Sequence, residues 1–137
     1  MKLQVKKENQ ESIEGYEVVN LGSSMDISNI TPNSCEEIFA PDACDSFSFQ
    51  GIAGAVEALV SKLRLGGTIV LGGTHVNIFA KTVSLGLIPP QEASNIIAAA
   101  NSMTIPEVLV EIFGKFNLNV DTVNIDGLHY EVKARRV

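Results

Sequence analysis

Cysteine, tryptophan and closely spaced metal ligands are scarce in this chain. Among its 137 residues are two cysteines, two histidines and no tryptophan. The cysteines, Cys35 and Cys44, are too few for a disulfide-stapled scaffold and form no CxxC pair. The cysteines and histidines also lack the spacing of a zinc site, so we expect no bound metal. With so few cysteines, a reducing compartment is the default expectation, which predicts a cytoplasmic protein.

Long apolar runs and clustered positive charge are missing too. No stretch approaches the roughly 20 apolar residues of a membrane-spanning helix, and residues 1–4 lack the apolar core of a signal peptide. The formal net charge is −6, whereas contacts with nucleic-acid phosphates need clustered Lys and Arg. The basic residues at 133–136 are few enough for a solvated chain end. We therefore predict neither a membrane nor a nucleic-acid partner.

Apolar residues are abundant by contrast. They make up 45% of the chain, against 19% for charged residues. A chain of this length can bury a real core, so residues 1–137 are predicted to form one globular domain. So much apolar content in a short chain also favours burial of some surface against a partner.

The first part of the chain is rich in short strand patterns. Residues 3–5, 16–21, 25–27 and 35–40 are predicted strands, and residues 6–10 are a predicted loop because they show no apolar period. The first clear helix follows, where apolar residues recur at helical spacing from Ile52 to Leu63. This spacing gives the helix one apolar stripe that would pack on a sheet.

The stretch RLGGTIVLGG, residues 64–73, has two glycine pairs around a short apolar run. The first pair is predicted to end the helix, and residues 68–71 to form a strand covered on both faces. The second pair is predicted to form a turn. A helix is predicted to begin at Val76, with Thr74 as its cap. Alternatively, Gly72 and Gly73 would bind an anion through free backbone N–H groups. The stretch lacks the lysine of a phosphate-binding loop, which favours the turn.

The rest of the chain predicts two more helices and a hairpin. A small-residue helix covers residues 91–100, and Thr104 with Glu107 forms a capping-box pattern for a helix to about residue 116. Residues 118–125 and 128–132 alternate apolar and polar side chains around an Asp-Gly turn. Strands alternating with helices predict an α/β fold with a doubly wound, mostly parallel sheet that closes with an antiparallel C-terminal hairpin.

Four segments resemble a known family. They are LQV, NQESIEGYEVVNL, PNSCEEIFAPDACDSF and LVSKLRLGGTIVLGG, in this order and spacing. With the terminal hairpin they are similar to small class I S-adenosylmethionine-dependent methyltransferases of the methyltransferase type 11-like kind, although Leu65 stands where that family usually has proline. The resemblance covers most of residues 1–73. It implies a Rossmann-like sheet with an antiparallel last strand, and S-adenosylmethionine as the cofactor.

The cofactor-binding positions of that family are altered here. In place of its Gly-x-Gly loop after the first strand, this chain has Lys6, Lys7 and Glu8, whose long side chains would fill the space of the methionine moiety. The family's ribose-binding carboxylate matches a position that is not acidic in this chain. The resemblance leaves six candidate cofactor-binding residues: Lys6, Glu8, Asn20, Gly22, Asp26 and Asp42.

Loss of these features together predicts that ordinary S-adenosylmethionine binding is absent. The family's HVLEHF stretch reads DACDSF here, so its histidines and glutamate are also gone. The sequence therefore favours a non-catalytic, methyltransferase-like module that works through assembly or protein binding, with no cofactor. An active methyltransferase with an atypical S-adenosylmethionine site is the alternative.

Two helices of the resembled family are also missing, which predicts a fold trimmed of its first helices. A polar loop at residues 6–15 takes the place of the first helix, and residues 22–30 are too short for the second. The strand at residues 68–71 would then expose apolar side chains, and large exposed apolar patches mark interfaces. We predict a homodimer, or another protein partner, through this uncovered sheet face. Alternatively, the helices between Val76 and Ala100 fold over it.

Two predicted strand ends carry groups suited to catalysis. Asp42, Cys44 and Asp45 follow one strand, and Thr74 and His75 follow the next. Because ligands of open parallel sheets bind beyond the carboxyl ends of the strands, an aspartate could act as general base, or Cys44 and His75 as nucleophile and base. The preferred interpretation is that the aspartates are loop and cap residues, Cys44 a buried filler and His75 a solvated residue. A small-molecule site at these loops is a further alternative.

Overall fold

The computed structural model describes residues 1–22 and 24–137, and these ranges contain six strands and four α-helices. The strands are β1 (Lys2–Lys7), β2 (Glu17–Leu21), β3 (Cys35–Ala40), β4 (Leu63–Thr74), β5 (Leu118–Asp126) and β6 (His129–Arg136). The helices are α1 (Ile52–Lys62), α2 (Val76–Ser84), α3 (Pro90–Ala99) and α4 (Pro106–Lys115). Two short 3-10 helices, Ala43–Ser46 and Phe49–Gly51, lie between β3 and α1.

All the strands form a single mixed sheet in the order β2-β1-β3-β4-β6-β5. The first four strands are parallel, and β6 runs antiparallel to both β4 and β5. Gly127, with φ +60°, sits in the two-residue connection of the hairpin, a conformation that glycine adopts without strain. The predicted fold, a mostly parallel doubly wound sheet closed by an antiparallel hairpin, is confirmed.

Helices α1 and α4 cover one face of the sheet. Ile38, Ile69 and Val132 share this face, because residues paired across neighbouring strands point to the same side. Leu59 of α1 and Phe113 of α4 are buried against them in the main core. Each such side chain stabilises the fold by about 1.5–3 kcal/mol through the apolar area that it removes from water.

Within residues 1–22 and 24–137, no helix covers the opposite side of the sheet, so the fold is trimmed as predicted. Over β1 a polar loop folds back instead: the Gln4 amide donates to the Glu11 carbonyl (2.9 Å) and accepts from the Ile13 N–H (2.8 Å). Beyond β1 the surface stays uncovered. We call the helix-free side of β3, β4 and β6 the open face; it presents Glu37, Phe39, Val70, Glu131, Lys133 and Arg135.

Helices α2 and α3 do not cover the open face. They form a second, small hydrophobic cluster through Phe79, Ile88 and Ala93, which packs against Met103 and against Leu128 at the hairpin tip. Neither apolar side chain of the open face belongs to this cluster. The expectation that these helices fold over the uncovered face is therefore wrong.

Two predictions for the first strands need correction. Lys6 and Lys7 were expected in a loop, but they extend β1 and pair with β2. Residues 25–27, expected to be a strand, have no strand pairing. There the Asp26 carboxylate accepts from the Ser28 N–H (3.1 Å) and hydroxyl (2.7 Å), a local turn that competes with strand pairing.

The glycine-rich stretch differs most from its prediction. Helix α1 already ends at Lys62, and β4 runs through both glycine pairs. Gly66 has φ +79°, but it lies where the β3–β4 register shifts, not at the helix terminus. Gly72 and Gly73 pair with β6 instead of forming a turn. Both positions are glycine because other segments of the chain approach the strand backbone there too closely for a side chain.

The caps of α2 and α4 also differ from the predicted ones. His75, not Thr74, caps α2, since its Nδ1 accepts from the Ile78 N–H (3.3 Å). Thr104 caps no helix: Ile105 precedes α4 and makes no side-chain cap. Thr104 instead pairs with His75 in an isolated bridge. Tertiary pairing has thus overridden the local capping-box pattern.

Candidate functional site

The candidate site lies where the carboxyl ends of β1, β3 and β4 meet. The chain leaves β1 toward β2 on one side, while β3 and β4 continue the sheet on the other. In open α/β sheets, ligands bind in the crevice at such a point of reversal. The loop after β1 and the 3-10 helix after β3 border this crevice.

Gln10 spans the crevice between β1 and β3. Its Oε1 accepts from the Lys7 N–H (2.9 Å), and its Nε2 donates to the Asp42 carboxylate through a short hydrogen bond. The Gln10 N–H in turn donates to the Lys7 carbonyl (3.1 Å) and closes a tight turn. One side chain thus joins the end of β1 to the residues after β3.

Lys6 closes the same loop from inside. Its side chain is buried, and its ammonium donates to the carbonyls of Gln10 (2.9 Å) and Lys7 (3.5 Å). Glu8 lies exposed in the turn. A lysine therefore satisfies the carbonyls of a loop whose counterpart in the resembled family is built from glycine.

Asp45 joins the segment after β3 to the end of β4. Its buried carboxylate accepts from the N–H (2.8 Å) and the hydroxyl (2.7 Å) of Thr74, and the Lys7 ammonium lies 4.0 Å away. The Asp45 carbonyl accepts from the Asn101 N–H (2.7 Å). Both carboxylate oxygens are engaged within the fold, so the group is placed as a structural acceptor.

The second glycine pair makes this junction possible. A Cβ on Gly73 would lie 2.7 Å from Asp45 Oδ1, and a Cβ on Gly72 would collide with the Tyr130 carbonyl and lie 2.6 Å from the Pro41 carbonyl. Real Cβ atoms do not come so close to other heavy atoms. The pair therefore serves close backbone approach, and neither an anion site nor a turn is formed by it.

Cys44 and Tyr130 form a buried neutral pair beneath the site. Burial raises the pKa of the Cys44 thiol to about 12. Burial, and then the neighbouring thiol, also raise the pKa of the Tyr130 phenol. The Tyr130 hydroxyl is buried and meets no hydrogen-bond partner of acceptable geometry. Neither group is ionised near neutral pH, so neither is poised as a nucleophile or base.

His75 is not part of a Cys–His pair. Its Nδ1 is used to cap α2, and its ring stands edge-on to Tyr130 with the centroids 6.3 Å apart. Only 8% of the residue is exposed, so the expectation of a solvated histidine is wrong. Among the described residues, no hydrogen bond links it to Cys44.

The candidate ribose-binding positions lie away from this junction. Asn20 is exposed on β2 beside Lys6, and Gly22 is exposed just after that strand. The Asp26 carboxylate is held by Ser28, and the hydrogen bond from the Ser28 hydroxyl lowers its pKa. The structure therefore does not bring the six candidate cofactor-binding residues together around one cavity.

Two cavities open at this end of the sheet. The larger, about 510 Å³, is an acidic groove whose lining includes Asp42, Asp126, His129 and Glu131. His129 Nδ1 lies 3.7 Å from the Asp42 carboxylate there. The smaller, about 170 Å³, lies between Lys7, Thr74 and the end of α3. Neither cavity is lined by Asn20, Gly22 or Asp26.

Metal and membrane features are absent from the described part of the chain. Residues 1–22 and 24–137 contain no group of three or more His, Cys, Asp or Glu side chains arranged to hold a metal ion. No helix within these ranges has the length and apolar character needed to cross a membrane.

Sequence reasoning located the strand-end residues but missed their partners. Cys44, Asp45, Thr74 and His75 do meet at one end of the sheet, because parallel strands end at the same edge. Gln10 was read only as part of a polar loop. The polar residues just after Lys7 were the only signal for a turn at Gln10, and no local pattern indicates that Gln10 would contact Asp42.

The fold of this chain is similar to that of several solved methyltransferase structures. No protein-family model and no curated protein matches the chain. A SAM-dependent methyltransferase from Archaeoglobus fulgidus matches 89% of this chain with 68% of its own, at 10% identity and a TM-score of 0.61. An O-methyltransferase family protein from Burkholderia thailandensis matches 88% of this chain with 36% of its own, at 13% identity and a TM-score of 0.61.

A third structure, magnesium protoporphyrin IX methyltransferase from Synechocystis with bound SAH, matches 78% of this chain with 47% of its own, at 10% identity and a TM-score of 0.51. The chain thus spans between 36% and 68% of the length of these proteins. At such identities the likeness establishes the fold alone, which is that of a class I S-adenosylmethionine-dependent methyltransferase.

Proposed function

We propose that this chain is a non-catalytic, methyltransferase-like module that does not bind S-adenosylmethionine in the ordinary way and acts through assembly or protein binding. The observation that carries the proposal is the Gln10 side chain, which occupies the crevice between β1 and β3 and is bonded at both ends. Protein side chains fill the place that a cofactor needs, so the residues present do not fit it.

The hydrogen-bonding groups of the crevice are already used. The backbone N–H of Lys7 and the carboxylate of Asp42 border the crevice, and Gln10 engages both. Lys6 further ties the loop to itself. Breaking these hydrogen bonds costs about 1–3 kcal/mol for each buried group that finds no new partner. A ligand would therefore bind only by rebuilding the loop.

An active methyltransferase with an atypical cofactor site is the competing proposal. It is supported by the fold, since the three solved structures above are methyltransferases and one contains SAH. Such an enzyme would have to move Gln10 and the loop around it before binding. Fold alone does not decide between the two proposals, since one scaffold hosts many activities.

Calorimetry with S-adenosylmethionine and S-adenosylhomocysteine tests the proposal. We expect no saturable heat with the natural chain at millimolar ligand. Gln10→Ala empties the crevice, and Gln91→Ala on the exposed surface of α3 is the matched control. Micromolar binding by the natural chain, or by Gln91→Ala, would overturn the proposal. Weak binding that appears only in Gln10→Ala would support it by showing that Gln10 blocks the site.

The open face is the surface through which such a module would act, and its partner would be a second copy or another protein. A cytoplasmic setting belongs to the same proposal, since Cys35 and Cys44 are buried free thiols and such thiols suit a reducing compartment.

A further inference from the structure

The outer part of β5 is exposed along six consecutive residues. β5 is the last strand of the sheet and pairs with β6 on its inner side. Helix α4 packs over the start of the strand, where Leu118 is buried, but every residue from Asp121 to Asp126 is exposed. An edge strand directs every second backbone N–H and C=O away from the sheet, where another strand can pair with them.

This segment lacks most of the features that protect a sheet edge. Proteins blunt such edges with lysine, proline, bulges or very short strands. β5 has a bulge near Asp121, whose carboxylate lies 4.0 Å from the Arg135 guanidinium. The residues beyond the bulge, 122–126, read TVNID and contain neither lysine nor proline. Val123 and Ile125 among them are 44% and 54% exposed. This part of the edge is therefore open to a further strand.

The two sides of β5 differ in chemistry. Val123 and Ile125 pair with residues of β6 that are buried on the helix-covered side, so these two apolar side chains lie on that side. Asn124 and Asp126 alternate with them and lie on the same side of the sheet as the open face. A strand added here would meet apolar groups with one set of alternate side chains and polar groups with the other.

The acidic groove opens beside the polar side of this strand. Its three carboxylates are those of Asp42, Asp126 and Glu131, and Glu131 also belongs to the open face. Asp42 accepts from Gln10, whereas Asp126 and Glu131 form no salt bridge among the described residues. Lys133 lies two residues from Glu131 along β6, about 7 Å away. A cation that enters the groove would therefore meet two carboxylates without ionic partners.

A second copy of this chain has no such cation on a strand edge. The two edge strands of the sheet are β2 and β5, with the sequences EVVNL and LNVDTVNID. Neither contains lysine or arginine, and both contain acidic residues. Like charges set opposite each other on paired strands are destabilising. The charge of the groove therefore favours a different protein as the partner.

We propose that β5 is the docking edge for an extended segment of another protein, which pairs with residues 122–126 and places a lysine or arginine in the acidic groove. This inference rests on the proposed role in protein binding. In strand addition, main-chain hydrogen bonds supply affinity and alternate side chains supply specificity. The segment alternates basic residues on the groove side with apolar residues beside Val123 and Ile125. Because exposed charges contribute, binding should weaken as salt is added.

Peptide binding to the natural chain tests the inference. The probe is a blocked seven-residue peptide that alternates valine and lysine, followed by backbone amide chemical shifts in NMR. We expect saturable binding, with the largest shifts in residues 121–126. A peptide with glutamate in place of lysine should bind at least about tenfold more weakly, because its charge repels the groove. A lysine peptide with proline at its centre should also bind more weakly, because proline removes a main-chain donor.

Charge-neutral variants test the groove itself. Asp126→Asn keeps a turn-forming residue before Gly127, and Glu131→Gln keeps the size of the side chain. Each should weaken binding of the lysine peptide about threefold, and the double variant about tenfold. The matched control is the double variant Glu57→Gln, Glu92→Gln, which removes the same charge from exposed positions on α1 and α3 and should bind normally. Circular dichroism checks that each variant is folded.

Absence of binding by the natural chain at millimolar peptide overturns the inference. So do equal affinities for the lysine, glutamate and proline peptides, a groove variant that binds like the control, or shifts confined to other surfaces. Self-association that protects the β5 amides from hydrogen exchange before peptide is added overturns it too, since a second copy then occupies the edge. The cofactor test is separate: a chain that ignores both S-adenosylmethionine and the peptides loses only the docking edge, whereas a chain that binds both loses only the proposed exclusion of the cofactor.

Discussion

The buried carboxylate of Asp45 holds both the backbone N–H and the hydroxyl of Thr74, at 2.8 and 2.7 Å. These two residues lie at neighbouring strand ends, where an open α/β enzyme places its chemistry. Here both oxygens of the acid are engaged by the fold. The strand ends of this chain are thus joined to each other by hydrogen bonds.

Asp45→Ala should lower the free energy of unfolding by about 2–4 kcal/mol, because it leaves the Thr74 N–H and hydroxyl unpaired in a buried place. Glu57→Ala, exposed on α1, is the control and should change stability by less than about 0.5 kcal/mol. Urea unfolding followed by circular dichroism gives both values. Equal stability of the two variants would show that the Asp45–Thr74 junction contributes nothing.

Gly72→Ala and Gly73→Ala should each destabilise the chain, and Gly72→Ala the more. At Gly72 the added Cβ meets two backbone carbonyls that cannot move aside, whereas at Gly73 it meets side-chain atoms. We expect Gly72→Ala to lower the free energy of unfolding by more than about 3 kcal/mol, because overpacking a rigid site is strongly destabilising.

Gly54→Ala is the matched control for these glycines. Gly54 lies in α1, and nothing is within 4 Å of its added Cβ. Alanine should therefore stabilise the helix by about 0.5–1 kcal/mol. Thermal unfolding of all three variants checks the order, and a stable Gly72→Ala protein would refute the close packing around β4.

Tyr130→Phe should raise the free energy of unfolding by about 1 kcal/mol. The Tyr130 hydroxyl is buried beside the Cys44 thiol, which is at best a weak hydrogen-bond partner, so removing the hydroxyl removes a desolvation cost that is poorly compensated. Phenylalanine keeps the ring and its edge-on contact with His75. A clear loss of stability in urea would mean that the hydroxyl is paired after all.

Stability should fall as the pH rises above about 9. The pKa of Cys44 is near 9 when unfolded and about 12 when folded, so only the unfolded chain ionises between these values. The stabilisation is complete below pH 9 and is lost as the pH rises toward 12. Cys44→Ala should show a shallower loss in urea midpoints from pH 7 to 11; an unchanged slope would exclude this thiol as a cause.

Thiol labelling gives an independent check on the same group. At pH 8 the native chain should leave Cys44 unlabelled by iodoacetamide, because the thiol is buried and protonated. The unfolded chain in urea should label at both cysteines. Rapid labelling of native Cys44, read by peptide mass spectrometry, would contradict its placement in the core.

The fold was readable from local patterns. The apolar stripe from Ile52 predicted α1, and the alternation at residues 118–132 predicted the hairpin. The consecutive apolar residues 68–71 predicted a central strand. Each pattern depends on the period of one element and on removal of apolar area from water, so it is written in neighbouring residues.

The candidate site was decided by contacts between distant parts of the chain. Gln10 meets Asp42 across 32 positions, and Asp45 meets Thr74 across 29. The role of the glycines after residue 71 likewise depends on which backbone passes beside them. Hydrogen bonds and close packing of this kind carry no local period, so they exist only once the sheet has brought the strand ends together.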